Sequence, residues 1–342
     1  MKKILVILTG GTICSHENRD GERTADVKDA KYKIISNFRN SSSPYRNTEF
    51  DFLFPLNILS ENMTINTWNT LLDVFREKSF SEYKGIIILH GTDTLAYASS
   101  LLSMMLTHLE VPVVLVSSQL PVDRKEANGK ANFRAGVELI MNGLKPNVYA
   151  VYRNSDNNIY LHYGSHLLQC ENYSDDFFSI DKIKIPDSEN AKLEGKAFQT
   201  KNNLLSEIKE LIPCVMSITP YVGINYDNFS LETIRAVIHG TFHTQAVCVE
   251  RSKKQGPFTN FSILSFIERC KEKDVDFFLS PCSENSFSYE STGDALENGC
   301  LTISDMTKEI SYVKALIGCS LGLKGRELSD FINNEINFEK IY

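Results

Sequence analysis

Short apolar runs that stop at glycine turns recur along the first half of the chain. Residues 3–8 (KILVIL) end at Thr9-Gly10-Gly11-Thr12, and residues 85–90 (GIIILH) end at Gly91-Thr92-Asp93-Thr94. Runs of this length bounded by turn residues read as buried strands. Their continuous apolar character, without alternation, predicts a parallel sheet covered on both faces. After the second turn, Leu95, Ala98, Leu101, Leu102, Met105 and Leu109 recur at helical spacing over residues 95–108, and residues 111–116 (VPVVLV) form another apolar run. This predicts a βαβ unit. An amphipathic stretch at 131–141 and a strand-like one at 147–152 continue the alternation.

Two polar stretches interrupt the pattern. Residues 18–43 are charged and follow the first glycine turn, as a mobile lid or a solvated loop would. Residues 186–203 lose periodicity, as an inter-domain connection would. Beyond them, strand-like residues 214–219, 246–249 and 277–280 alternate with helix-like residues 230–238, 261–273 and 306–317. No solenoid period is present. The expectation is a two-domain α/β fold: a larger N-terminal domain (1–190) with a mostly parallel sheet and helices on both faces, a linker (191–205), and a smaller C-terminal α/β domain (206–342). A length of 342 residues agrees with this, because single cores stop growing near ~250–300 residues.

Composition narrows the function classes. A formal charge of −7, with 43 acidic against 36 basic residues and no basic block, offers no surface to nucleic acid or an anionic membrane. The opening apolar run is far too short to span a bilayer and has no small-residue cleavage site after it, so neither a membrane segment nor a signal peptide is expected. The eight cysteines lack CxxC or zinc-type spacing, which predicts reduced thiols in a cytoplasmic protein and no metal site or cofactor. Cys14 lies just past the first glycine turn and reads as a small buried side chain rather than a nucleophile.

The candidate chemistry lies at the two strand ends, where open α/β sheets bind ligands. Glycines admit close backbone approach and free N–H groups, and a Thr hydroxyl beside them is a nucleophile once its proton has somewhere to go. Neither GxxxxGK[ST] nor GxGxxG is present, so nucleotide binding has no specific support. Either turn could also be structural, with Thr92 or Asp93 an ordinary helix N-cap.

TGGTI (residues 9–13) and HGTDT (residues 90–94) resemble the two signature motifs of the bacterial-type L-asparaginase/glutaminase family. Ser60-Glu61-Asn62-Met63, Gln119-Leu120-Pro121 with residues 128–132 (NGKAN), and YESTGDAL (289–296) with DMTKE (305–309) extend the resemblance, closest to the type I, cytoplasmic branch. The resemblance implies amide hydrolysis of Asn or a related small amide, and a homodimer or dimer of dimers. It implies Thr12 as nucleophile, Thr92 as second essential hydroxyl, Asp93 at the substrate α-amino group and Ser60 at its α-carboxylate. Gly11, Gly91, Glu61 and the backbone around Ser118 would complete the substrate site.

Two helpers of that family are not found in register. Glu22 to Thr24 stand where its lid Tyr is expected, and Leu168 where its Lys is expected. A Leu cannot move a proton, so Glu22, Tyr32, His162 and His166 are the candidate substitutes. Glu61 adds negative charge near the α-carboxylate position, which suits a ligand with an amine or a larger amide better than free Asn. Two further readings stand beside the asparaginase one: a divergent member acting on a modified or peptide-linked amide, and a non-catalytic binding or partner protein. A tRNA-dependent amidotransferase component has little support from the charge balance or from any appended domain.

Overall fold

The computed structural model describes residues 3–17, 23–181, 183–185, 195–250, 260–283 and 289–341. They fall into two compact units, Met1–Lys209 and Glu210–Tyr342. In the first unit the strands are β1 (Lys3–Leu8), β2 (Ser15–Glu17), β3 (Arg23–Ala25), β4 (Phe50–Leu53), β5 (Tyr83–Leu89), β6 (Val113–Val116), β7 (Val148–Arg153), β8 (Ile159–Tyr163) and β9 (Ile183–Lys184). Its helices are α1 (Val27–Arg39), α2 (Ile65–Glu77), α3 (Leu95–Met105), α4 (Gly129–Met141) and the single turn α5 (Leu204–Glu207).

Seven strands form one sheet in the order β4-β1-β5-β6-β7-β8-β9. The first five are parallel because a helix carries the chain back between sheet neighbours β5 and β6 and between β6 and β7. β8 runs antiparallel to β7 because only a tight turn joins them, with Asn157 at φ 63 and the Asn154 N–H on the Asn158 carbonyl at 3.0 Å. Ile4, Val6, Leu8, Ile87, Leu89, Val114 and Val116 pack against Val27, Ile34 and Phe38 of α1 and Phe133, Val137 and Ile140 of α4. The alternate residues Leu5, Ile7, Ile86, Ile88, Val113 and Leu115 are just as buried, so both faces are covered and the runs carry no polar alternation. Each such side chain contributes roughly 1.5–3 kcal/mol on burial.

Part of the expected lid or loop is helical. Asp26 accepts from the N–H groups of Lys28 (3.1 Å) and Asp29 (3.0 Å), capping α1, whose Val27, Ala30, Ile34 and Phe38 form a buried stripe at spacings of three and four. Residues 195–209, partly assigned to a linker from the sequence, are docked on the first unit. The Phe198 N–H meets the Pro146 carbonyl at 2.9 Å, and Arg76 donates to the carbonyls of Leu205 (3.2 Å) and Ile208 (2.8 Å).

The second unit holds a parallel sheet of β10 (Val215–Ile218), β11 (Ala236–His239), β12 (Asp276–Cys282) and β13 (Leu301–Ser304), in that order. Its helices are α6 (Ile263–Glu272), α7 (Glu290–Glu297), α8 (Lys308–Ser320) and α9 (Gly325–Asn333). Two expectations fail here. Residues 230–238 are not helical, because Ala236, Val237 and Ile238 pair as an inner strand between β10 and β12. Residues 246–249 form no strand: the chain turns with Gln245 at φ 62 and the Phe242 N–H on the Ala246 carbonyl at 3.0 Å. All eight cysteines are free thiols, and among the described residues no helix is long and apolar enough to cross a membrane.

Candidate active site

The two glycine turns meet at the C-terminal ends of β1 and β5. Thr9 ties the end of β1 to β5 by donating its N–H (3.1 Å) and hydroxyl (2.9 Å) to the Leu89 carbonyl, and the Gly11 N–H reaches the Ile58 carbonyl at 2.7 Å. Gly11 has φ 74, and a Cβ there would lie 2.2 Å from the Gly91 Cα. A Cβ on Gly91 would lie 2.2 Å from the Ser60 Oγ. Only glycines permit this stack of backbones, and it sets Thr12 and Thr92, each one residue further on, at one site.

Ser60 fixes the second turn. Its hydroxyl donates to Asp93 Oδ2 (2.8 Å), its Oγ accepts the Asp93 N–H (3.2 Å), and its carbonyl accepts the Thr94 hydroxyl (3.1 Å). The start of α3 is completed from a distant segment. Gln169 donates its amide to the Thr92 carbonyl (3.0 Å) and accepts the Ala96 N–H (3.3 Å), satisfying one of the donors a helix start leaves open. Thr92 and Asp93 therefore serve as no side-chain cap of α3.

A cavity of about 920 Å³ opens above these groups, lined by Thr12, Thr92, Asp93, Glu61, Gln119 and Tyr152 and walled by residues 169–175 and Phe177. Among the described residues neither the Thr12 nor the Thr92 hydroxyl has a hydrogen-bond partner. Tyr152 is buried with its hydroxyl unpartnered, and burial raises its pKa well above the usual phenol range. Burial pushes the Cys14 thiol up to about 12, so it stays protonated and inert, as its reading from the sequence holds.

Three of the four proposed substitutes for the helpers lie elsewhere. Glu22 falls outside the described residues. Tyr32 sits on the outer face of α1, 70% exposed, with Lys31 over its ring at 5.6 Å. His162 is buried on β8 with Nδ1 at 2.8 Å from the Ser179 Oγ, and burial lowers its pKa to about 4. His166 is bonded through Nδ1 to Asp181. Neither histidine lines the cavity, because both point to the residues 179–181 that return from the wall. The Ser118 hydroxyl is committed locally, donating to the Leu120 carbonyl (2.6 Å) and accepting the Gly129 N–H (3.1 Å) at the start of α4. Leu168 is 39% exposed, and it is the next residue, Gln169, that reaches α3. Gln169 and Tyr152 were missed from the sequence: no periodicity marks Gln169, and Tyr152 reads as one more residue of an apolar strand.

The family described as "Asparaginase, N-terminal" matches residues 3–195. The chain is 28% identical over 322 residues to an L-asparaginase of Thermococcus kodakarensis, covering 92% of each chain. It is 26% identical over 339 residues to a glutamyl-tRNA(Gln) amidotransferase subunit of Thermoplasma volcanium, covering 97% of this chain and 78% of that one. Among solved structures, the thermostable L-asparaginase of T. kodakarensis superposes with a TM-score of 0.74 at 21% identity, covering 99% of both chains. L-asparaginase I of Vibrio cholerae superposes with 0.72 at 22% identity over the whole of both. These likenesses extend to the whole two-unit α/β fold.

Proposed function

The chain belongs to the asparaginase family, and from that premise we propose that it hydrolyses a primary carboxamide, that of Asn or a related amide, with Thr12 as nucleophile. One observation carries this reading: two glycine-only turns in backbone contact present the hydroxyls of Thr12 and Thr92, partnerless among the described residues, to one cavity beside Asp93.

The Thr12 oxygen adds to the amide carbon, the C–N bond breaks, and ammonia leaves with the proton given up by Thr12. Water then cleaves the Thr12 ester, yielding the acid and restoring the hydroxyl. Thr92 is the second hydroxyl, and Asp93 takes the substrate ammonium on the oxygen that Ser60 leaves open. Gly11 and Gly91 let the amide approach the backbone donors that stabilise its oxyanion. We assign Gln169 the place where relatives carry a Lys: it holds Thr92 but cannot accept a proton. Among the described residues the cavity is lined by the carboxyl groups of Glu61, Asp93, Glu171 and Asp175, and we assign proton acceptance to one of them. The free thiols favour a reducing, cytoplasmic setting, and the family resemblance favours a homodimer or dimer of dimers.

Ammonia release from Asn and Gln by the wild type and Thr12→Ala, side by side at high enzyme concentration, tests the reading. The expected loss in the variant is at least ~1000-fold. Equal release by both proteins rejects Thr12 as nucleophile. A second reading follows from the amidotransferase subunits among the relatives: ammonia freed here would pass to a partner protein. It predicts Gln as the better substrate and release that rises when a co-purifying protein is present.

A further inference from the structure

Among the described residues, the charged side chains that line the cavity over the two threonines are of one sense only. Glu61, Asp93, Glu171 and Asp175 line it, and no Lys, Arg or His does so among the described residues. The side chains of Glu61, Glu171 and Asp175 make no ion pair or hydrogen bond among those residues. An α-carboxylate would enter against this charge with no cation to meet it among the described residues. The Ser60 hydroxyl already donates to Asp93 at 2.8 Å and would have to give up that bond to meet it.

The open cavity also leaves room for a larger ligand. Free Asn has nine non-hydrogen atoms and fills at most roughly 270 Å³ even at the volume of liquid water per heavy atom, against a cavity of about 920 Å³. Tyr152 adds an independent sign of a larger ligand. Its side chain lines the cavity, is 1% exposed and holds a hydroxyl with no hydrogen-bond partner. A buried hydroxyl without a partner is costly unless a ligand supplies one.

On the hydrolase reading above, we propose that the substrate is the side-chain amide of an asparagine at the N-terminus of a basic peptide. The α-ammonium of such a residue meets Asp93, as a free amino acid's would. Its α-carbonyl is tied into a neutral peptide bond and accepts from Tyr152 instead of bringing a charge. A following Lys or Arg meets Glu171 and Asp175 on the wall, with Glu61 adding to the same field. The overall change is peptide carboxamide plus water to peptide carboxylate plus ammonium, with the peptide bond untouched.

The test compares free Asn with the dipeptides Asn–Lys and Asn–Glu, both as C-terminal N-methylamides so that ammonia arises only from the side chain. We expect kcat/KM for Asn–Lys to exceed that for free Asn and for Asn–Glu at least tenfold, with the preference shrinking as salt is raised. In Glu171→Gln/Asp175→Asn the preference for Asn–Lys over Asn–Glu should fall at least threefold. Free Asn turned over as well as Asn–Lys overturns the substrate assignment and leaves the hydrolase reading standing. Ammonia from none of the three rejects the hydrolase reading. In that event binding to Thr12→Ala decides the charge assignment by itself: Asn–Lys binding tenfold tighter than Asn–Glu upholds it, and equal binding overturns it.

Discussion

At the floor of the cavity, the turns after β1 and β5 touch backbone to backbone, and Ser60 and Gln169 satisfy the groups around them. At its wall, residues 170–175 run as coil with Tyr173 at φ 64 and fully exposed, and with carboxylates at Glu171 and Asp175 that are unpaired among the described residues. A side chain cannot be added to the floor without moving backbone. A charge on the wall can change at little cost, since exposed substitutions usually fall within about 0.5 kcal/mol. On the function proposed above, the reaction would be fixed where the fold permits no variation, and the choice of substrate left to a segment that can vary.

The most severe break of this contrast is Gly11→Ala. Its Cβ would lie 2.2 Å from the Gly91 Cα at a residue with φ 74, so overpacking and backbone strain add, and urea unfolding should show a loss of about 3–5 kcal/mol. Gly143→Ala separates the two terms. Gly143 has φ 93 with nothing within 4 Å, so only the strain remains and the loss should be about 1 kcal/mol. Equal losses at the two positions would mean that the contact of the turns contributes nothing.

Acid should loosen the underside of the wall. His162 meets Ser179 just beyond the wall, and burial lowers its pKa from 6.5 to about 4. Between those values the unfolded chain binds a proton there that the folded chain does not, so stability rises with pH and is lost on acidification. The loss from this one group is up to about 3 kcal/mol across the window. His162→Gln should therefore shrink the difference between urea midpoints at pH 7 and pH 4.5. It should not abolish it, because burial also lowers the pKa values of His90 and His239. An unchanged difference would remove His162 from the account.

The sequence disclosed the floor because local rules govern it. Residues 3–8 and 85–90 are apolar at every inner position, and the threonine-bearing glycine turns follow directly. α1 was hidden because Lys, Asp and Tyr separate the apolar positions of its stripe, so charge density outweighed a spacing that was present. Gln169 was hidden for a different reason. It acts 73 residues from its partner Ala96, in a segment where no periodicity marks it. The resemblance places the backbone around Ser118 on the substrate side, and its hydroxyl is spent locally on the Leu120 carbonyl and the Gly129 N–H at the start of α4.

Gln169 is where wall and floor join, and its variants sharpen the comparison. Gln169→Ala leaves the Ala96 N–H and the Thr92 carbonyl without this partner, and each unmade buried bond costs about 1 kcal/mol or more. Because Thr92 would shift, kcat should fall roughly 10–100-fold with a smaller change in KM. Gln169→Glu keeps the acceptor for Ala96 and sets a carboxylate against the Thr92 carbonyl, so it should be at least as slow. Full activity in both variants would separate Thr92 from turnover.

The smallest expected effect is also the most discriminating between a structural and a ligand-facing role. Tyr152 packs edge-on against Phe177, with ring centroids 4.8 Å apart, while its buried hydroxyl has no partner. Tyr152→Phe keeps the ring contact and removes the unsatisfied group. If the hydroxyl exists for a ligand, the variant should be more stable by about 1 kcal/mol. At the same time kcat/KM on the Asn–Lys methylamide should fall severalfold, since the peptide carbonyl loses its donor. A hydroxyl with only a structural role gives the opposite pair of results, lower stability and unchanged turnover, so the two signs measured together on one protein decide what Tyr152 is for.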